Sequence, residues 1–114
     1  MGTAATHTAS VDWTLLGRFR DAIRRQYPDA RILLFGSRAR GAARADSDYD
    51  VIVISPAFAG TSPLWRGQGL AREWATLMPP VDVDILCATP DEYERARARP
   101  TSWISEADRE AVPL

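Results

Sequence analysis

Gly36-Ser37, then Asp48-Tyr49-Asp50 after ten intervening residues, then Asp82-Val83-Asp84 are the residues whose types and spacing could do chemistry. On a strand, residues two apart project from one face, so Asp48 and Asp50 share a side, as Asp82 and Asp84 do. Carboxylates gathered in a folded site repel one another, and such a cluster persists only with a cation or a raised proton affinity. Magnesium is the natural occupant, because it takes oxygen ligands and bridges carboxylates to nucleotide phosphates. The glycine–serine turn supplies the matching half: glycine lets the backbone approach a phosphate, the N–H groups after it open a helix, and the serine hydroxyl adds a donor. Together these residues point to in-line displacement at phosphorus with two metal ions. Asp48 and Asp50 would hold both ions, and the third carboxylate would serve the incoming hydroxyl and accept its proton. Alternation permits either Asp82 or Asp84 as that third group, and the spacing to Thr89-Pro90 favours Asp84.

The apolar pattern around these residues predicts the elements that position them. Ser10 can cap a helix whose buried stripe is Trp13, Leu16, Phe19 and Ile23, ending at Tyr27-Pro28. Ala30 to Phe35 reads as a strand covered on both faces, and Arg38 to Arg44 as one or two helical turns interrupted by Gly41. Tyr49 to Ser55 is a second strand stopped by Pro56, followed by a loop over 56–63. Leu64 to Met78 can form a helix with Leu64, Trp65, Leu70, Trp74 and Leu77 as its apolar members. A third strand runs from Val81 to Cys87. Thr89-Pro90-Asp91-Glu92 places a cap, a helix-starting proline and a glutamate three after the cap, which predicts a helix over about 90–98. Trp103 to Glu110 adds a last short helix. Pro113 cannot donate to a sheet ladder, so no terminal strand is expected.

At 114 residues the chain fits one domain, without length for a separate substrate-binding domain. The formal net charge of −1 argues against a general affinity for polyanions, so no direct nucleic-acid binding is expected. All 14 cationic side chains are arginine, so every cation is a planar fork suited to phosphate or carboxylate, and no lysine is present to act as base or nucleophile. Cys87 stands alone, which excludes an internal disulfide and points to a reducing compartment; it reads as a small core residue. No segment has secretory or membrane-spanning character, and a cytoplasmic location is expected. His7 falls in the polar start and carries no role.

The fuller run Gly36-Ser37-Arg38-Ala39-Arg40-Gly41 with Ser47-Asp48-Tyr49-Asp50 resembles the minimal nucleotidyltransferases (MNT) of the DNA polymerase beta superfamily, and the similarity extends from about residue 15 to 98. The segment Val83 to Pro90 is similar to the strand that carries the family's third carboxylate. The resemblance implies a nucleotidyltransferase fold of the α/β (α+β) class, with a small mixed sheet of three to four strands backed by helices. That domain would span residues 11–114 after a disordered N-terminus at 1–10. It implies that Gly36 and Ser37 contact the triphosphate with Arg38 nearest the nucleotide, that Asp48, Asp50 and Asp84 are catalytic and bind two Mg2+ ions, and that ATP is the substrate. Many members act as antitoxins beside a helical HEPN ribonuclease toxin, and some transfer AMP to the toxin's tyrosine. The implied function is therefore AMP transfer from ATP to a hydroxyl of a HEPN-type partner. Two other readings are an antitoxin that neutralises by binding alone, and a small-molecule nucleotidyltransferase acting on an antibiotic. The tail Glu110-Ala111-Val112-Pro113-Leu114 departs from the family, where Gly-Val often precedes an apolar or aromatic end.

Overall fold

In the computed structural model, which describes residues 10–114, a four-stranded mixed sheet lies between helices on both faces. The elements in chain order are α1 (Trp13–Gln26), β1 (Arg31–Phe35), α2 (Gly36–Arg40), β2 (Tyr49–Ile54), α3 (Leu70–Thr76), β3 (Val83–Ala88), α4 (Pro90–Ala98), α5 (Trp103–Glu110) and β4 (Val112–Pro113). The strands lie in the order β3-β2-β1-β4; β1 is antiparallel to β2 and β4, and β2 is parallel to β3. The expected disordered start at residues 1–10 and His7 lie outside the described residues apart from Ser10. No helix among the described residues is long and apolar enough to cross a membrane.

Alternation along the strands divides the core in two. Ile32, Leu34, Tyr49, Val51 and Val53 face Leu15, Leu16, Phe19 and Ile23 of α1 and Leu70 and Trp74 of α3. Leu33, Ile52 and Ile54 face Tyr93 of α4, with Ile104 of α5 packed against them. Asp50 and Asp84 have the parity of Ile52 and Leu86, so they belong to the face that α4 and α5 cover.

Four local expectations need correction. The first helix is capped by Asp12, which accepts from Leu15 N at 3.0 Å, rather than by Ser10; Leu15 takes the buried place expected of Trp13, which is 54% exposed. The helix expected from Leu64 is only α3, because Gly67 (φ 67°) and Gly69 (φ 88°) turn left-handed; a Cβ at Gly67 would also press on Cys87 Sγ. Leu64 and Trp65 sit instead on a 3₁₀ turn over Pro63–Trp65 and are exposed. The terminal strand does form, with Val112 opposite Leu34 and Pro113 opposite Leu33. It occupies the sheet edge, and Leu114 N, not the proline nitrogen, donates to Ile32 O at 2.9 Å, so the missing N–H costs no ladder bond.

The helix over 90–98 forms as the cap signal dictates. Thr89 Oγ1 accepts from Glu92 N at 3.1 Å, and Glu92 Oε1 accepts from Thr89 N at 2.9 Å.

Candidate active site

The candidate site lies where β2 and β3 begin, beside the turn from β1 into α2. Parallel pairing sets Asp50 directly opposite Asp84, and antiparallel pairing sets Asp50 opposite Phe35, the residue before Gly36. One strand, β2, therefore carries a carboxylate that meets the turn on one side and a second carboxylate on the other. Asp82 precedes β3, and its carbonyl accepts from Tyr49 N at 3.0 Å. The register thus gives Asp84, not Asp82, the position beside Asp50.

The electrostatics follow from this crowding. The Asp50 carboxyl is held above its ordinary range, first by burial, then by the charge of Asp84 and a hydrogen bond shared with it, then by Asp48, while Arg40 pulls the other way. The register pairs Asp50 with Asp84, and Asp48 lies near enough for its charge to act on Asp50.

Gly36 is required here on two counts. Its φ is 74°, and a Cβ would collide with Asp50 Oδ2. The turn and the carboxylate occupy adjoining space, which only a residue without a side chain allows. Ser37, half-buried, follows in the first turn of α2, and Gly41 ends that helix in the left-handed conformation.

The arginines divide sharply. Arg38, expected nearest the nucleotide, points inward and is 5% exposed. It donates to Ser47 O (2.7 Å through Nη2), Ala45 O (3.4 Å) and Ser10 O (3.3 Å), and lies 4.4 Å from the Tyr49 ring centroid. Its fork is spent on the loop that delivers Asp48. Arg40 is the arginine whose charge acts on Asp50, and its guanidinium pairs with Glu110 of α5 at 3.2 Å. The signal for this was in the sequence: two residues on a helix are about 200° apart, so Arg38 and Arg40 cannot both face the site. Which one does so depends on where α2 packs.

Two clefts flank the acids. One of about 1050 Å³ is lined by Asp48, Asp82 and Asp84 together with Trp74, Met78 and Pro80. The other, about 400 Å³, is lined by Gly36, Arg40, Phe35 and Trp103 among others. Trp103, which the sequence marks only as the start of a helix, stands 5.7 Å from the Phe35 ring and is 54% exposed.

Among the described residues, no group of three or more His, Cys, Asp or Glu side chains is gathered tightly enough to hold a metal ion as it stands. The donor set nevertheless fits a hard cation. It offers only carboxylate oxygens, and Asp50, raised first by burial and then by the charges of Asp84 and Asp48, is a group whose ionised form a divalent ion would favour.

A family model described as a nucleotidyltransferase domain matches residues 16–112. A crystal structure of a provisionally assigned nucleotidyltransferase from Sulfolobus solfataricus is similar in fold, with a TM-score of 0.52 and 19% identity over 72% of this chain and 70% of that one. No curated protein matches the chain in sequence. The family match spans both the glycine–serine turn and all three acids, and the chain belongs to the nucleotidyltransferase domain family.

Proposed function

We propose that this chain is a magnesium-dependent nucleotidyltransferase that moves AMP from ATP to a hydroxyl, a tyrosine, of a helical HEPN-type partner, and so acts as an antitoxin. The observation that carries the catalytic part is the register that sets Asp50 between Asp84 and the Gly36 turn, with Asp48 beside it. Gly36 and Ser37 receive the triphosphate, and Arg40 in place of Arg38 supplies a cation to it. Asp48, Asp50 and Asp84 would hold the ions, which when bound supply charge neutralisation at the phosphates and acidify the attacking hydroxyl.

The acceptor oxygen bonds to the α-phosphorus, and the bond from that phosphorus to the oxygen bridging to the β-phosphate breaks. Pyrophosphate leaves with that bonding pair. The hydroxyl proton passes to a carboxylate oxygen of Asp84 and on to solvent. Asp84 is exposed on the larger cleft, whereas Asp50 is half-buried, so Asp84 is the acid an incoming hydroxyl can reach.

Incubating the purified chain with its co-expressed partner and α-labelled ATP tests this reading. Label on the partner is expected; label from γ-labelled ATP instead redirects the reaction to phosphorylation. A second reading, neutralisation by binding alone, is favoured by Leu64 and Trp65, which are 87% and 64% exposed on one turn. Protection that survives the Asp48→Asn, Asp50→Asn double variant supports that second reading.

A further inference from the structure

The larger cleft and the smaller groove differ in charge. Gly36 and Arg40 line the smaller one together with Glu106 and Glu110, so a cation is present there beside its acidic neighbours. The larger is lined by Asp46, Asp48, Asp82 and Asp84 and by no arginine, although every cation of the chain is an arginine. Asp48 and Asp84 belong to the proposed metal set, but Asp46 and Asp82 do not. Their two charges stay uncompensated even when the site is loaded, and they repel a triphosphate.

The rest of the lining is apolar: Trp74, Met78, Pro79 and Pro80 contribute to it. Met78 has φ 56°, the one positive value at a non-glycine position among the described residues, and is 87% exposed. Pro79 disfavours the helical conformation at the residue before it, and the chain leaves α3 through this left-handed turn with the Met78 side chain in solvent. Methionine is flexible and polarisable, suited to an adaptable contact. The aliphatic stems of arginine and lysine pack well against this apolar part of the lining while their charged heads reach the carboxylates.

We infer that the larger cleft docks the acceptor as a polypeptide segment whose hydroxyl residue is flanked by arginine or lysine. The basic groups meet Asp46 and Asp82, their stems lie on Met78 and Pro80, and the hydroxyl comes to Asp84. This rests on the nucleotidyl-transfer reading and adds the acceptor's chemistry to it.

The test uses the intact chain and a fluorescent synthetic peptide with one tyrosine between paired arginines, its binding followed by anisotropy without nucleotide. Replacing the arginines by glutamates is expected to weaken binding roughly tenfold or more, since it turns attraction into like-charge repulsion. The double variant Asp46→Asn, Asp82→Asn is expected to weaken it roughly fivefold, as exposed ion pairs are worth up to about 1 kcal/mol each. Met78→Ser weakens it at every salt concentration. A salt titration of the unaltered chain gives the same electrostatic answer without any variant. Equal binding of the two peptides, or tighter binding of a polycationic amino sugar, overturns the proposal. Discriminating binding without transfer of label from α-labelled ATP supports the docking surface and sinks catalysis. Label transferred equally to both peptides sinks the docking surface and leaves catalysis standing.

Discussion

The two ends of the β2–β3 pair treat acidic side chains in opposite ways. Where the strands begin, burial and then the charges of Asp84 and Asp48 push Asp50 up in proton affinity. Where β3 ends, Glu92 at the start of α4 is held down to about 2 by a two-point ion pair with Arg66 and by the Thr89 backbone. Arg66 is almost fully buried there and also donates to Thr61 O at 2.8 Å, tying the loop before α3 to the sheet. One end stores repulsion that a cation can use, and the other pairs its charge and holds the fold together. The difference teaches that the site's instability is local and is carried by a well-fastened scaffold.

The most damaging break of this contrast is Asp50→Asn. It is expected to lower nucleotidyl transfer by about a thousandfold or more, while the metal-free protein becomes no less stable, because a buried, repelled charge has gone. Labelled-ATP assays and thermal unfolding of the same sample check both halves. At the opposite end, Arg66→Ala leaves Glu92 without its partner and frees the 61–66 loop, at a cost of about 2–3 kcal/mol in stability. Denaturant unfolding measures it, and intact nucleotide binding in the folded fraction is the expected companion result.

Much of that contrast was legible before any coordinates. The capping residues Thr89 and Glu92 declare their helix by chemistry confined to four residues, and the unbroken apolar run Val51-Ile52-Val53-Ile54 declares a strand. Period admitted both Asp82 and Asp84 as the third acid, since they share a parity, and the spacing to Thr89-Pro90 favoured Asp84. Register resolved their positions, and register is a property of two strands rather than one. The end of Arg66 in an ion pair with Glu92, across 26 residues of sequence, had no local signal at all.

A subtler probe separates the two arginines of α2. Arg40→Gln is expected to weaken nucleotide binding about tenfold, consistent with one charge-assisted contact. Arg38→Met is expected to leave nucleotide affinity nearly unchanged and to slow turnover, because it loosens the 41–48 loop that places Asp48. Titration with a fluorescent ATP analogue, set against kcat, distinguishes them.

The smallest effects come from pH. The ordinary value for Glu92 is 4.5 and its folded value is about 2, so its stabilisation is complete above pH 4.5 and is lost as pH falls toward 2. Asp50 has the opposite sign. Its folded value lies above the ordinary 3.8, so the folded state takes up the proton more readily and that end gains stability as pH falls into the carboxylate range. Thermal midpoints of the metal-free protein measured from neutral pH downward should show the loss removed in Glu92→Gln and the gain removed in Asp50→Asn.

The chain by itself determined the Thr89 cap, its apolar strands, the glycine–serine turn and the pool of acids, because each depends on residues within a few positions of one another. It also limited its cations to arginine. Tertiary structure alone decided that Asp84 stands opposite Asp50, that Arg40 pairs with Glu110 while Arg38 is buried under the loop before β2, and that Pro113 ends in a sheet edge. Those outcomes rest on which distant surfaces pack together, and a distance across the fold is written in no single stretch of sequence.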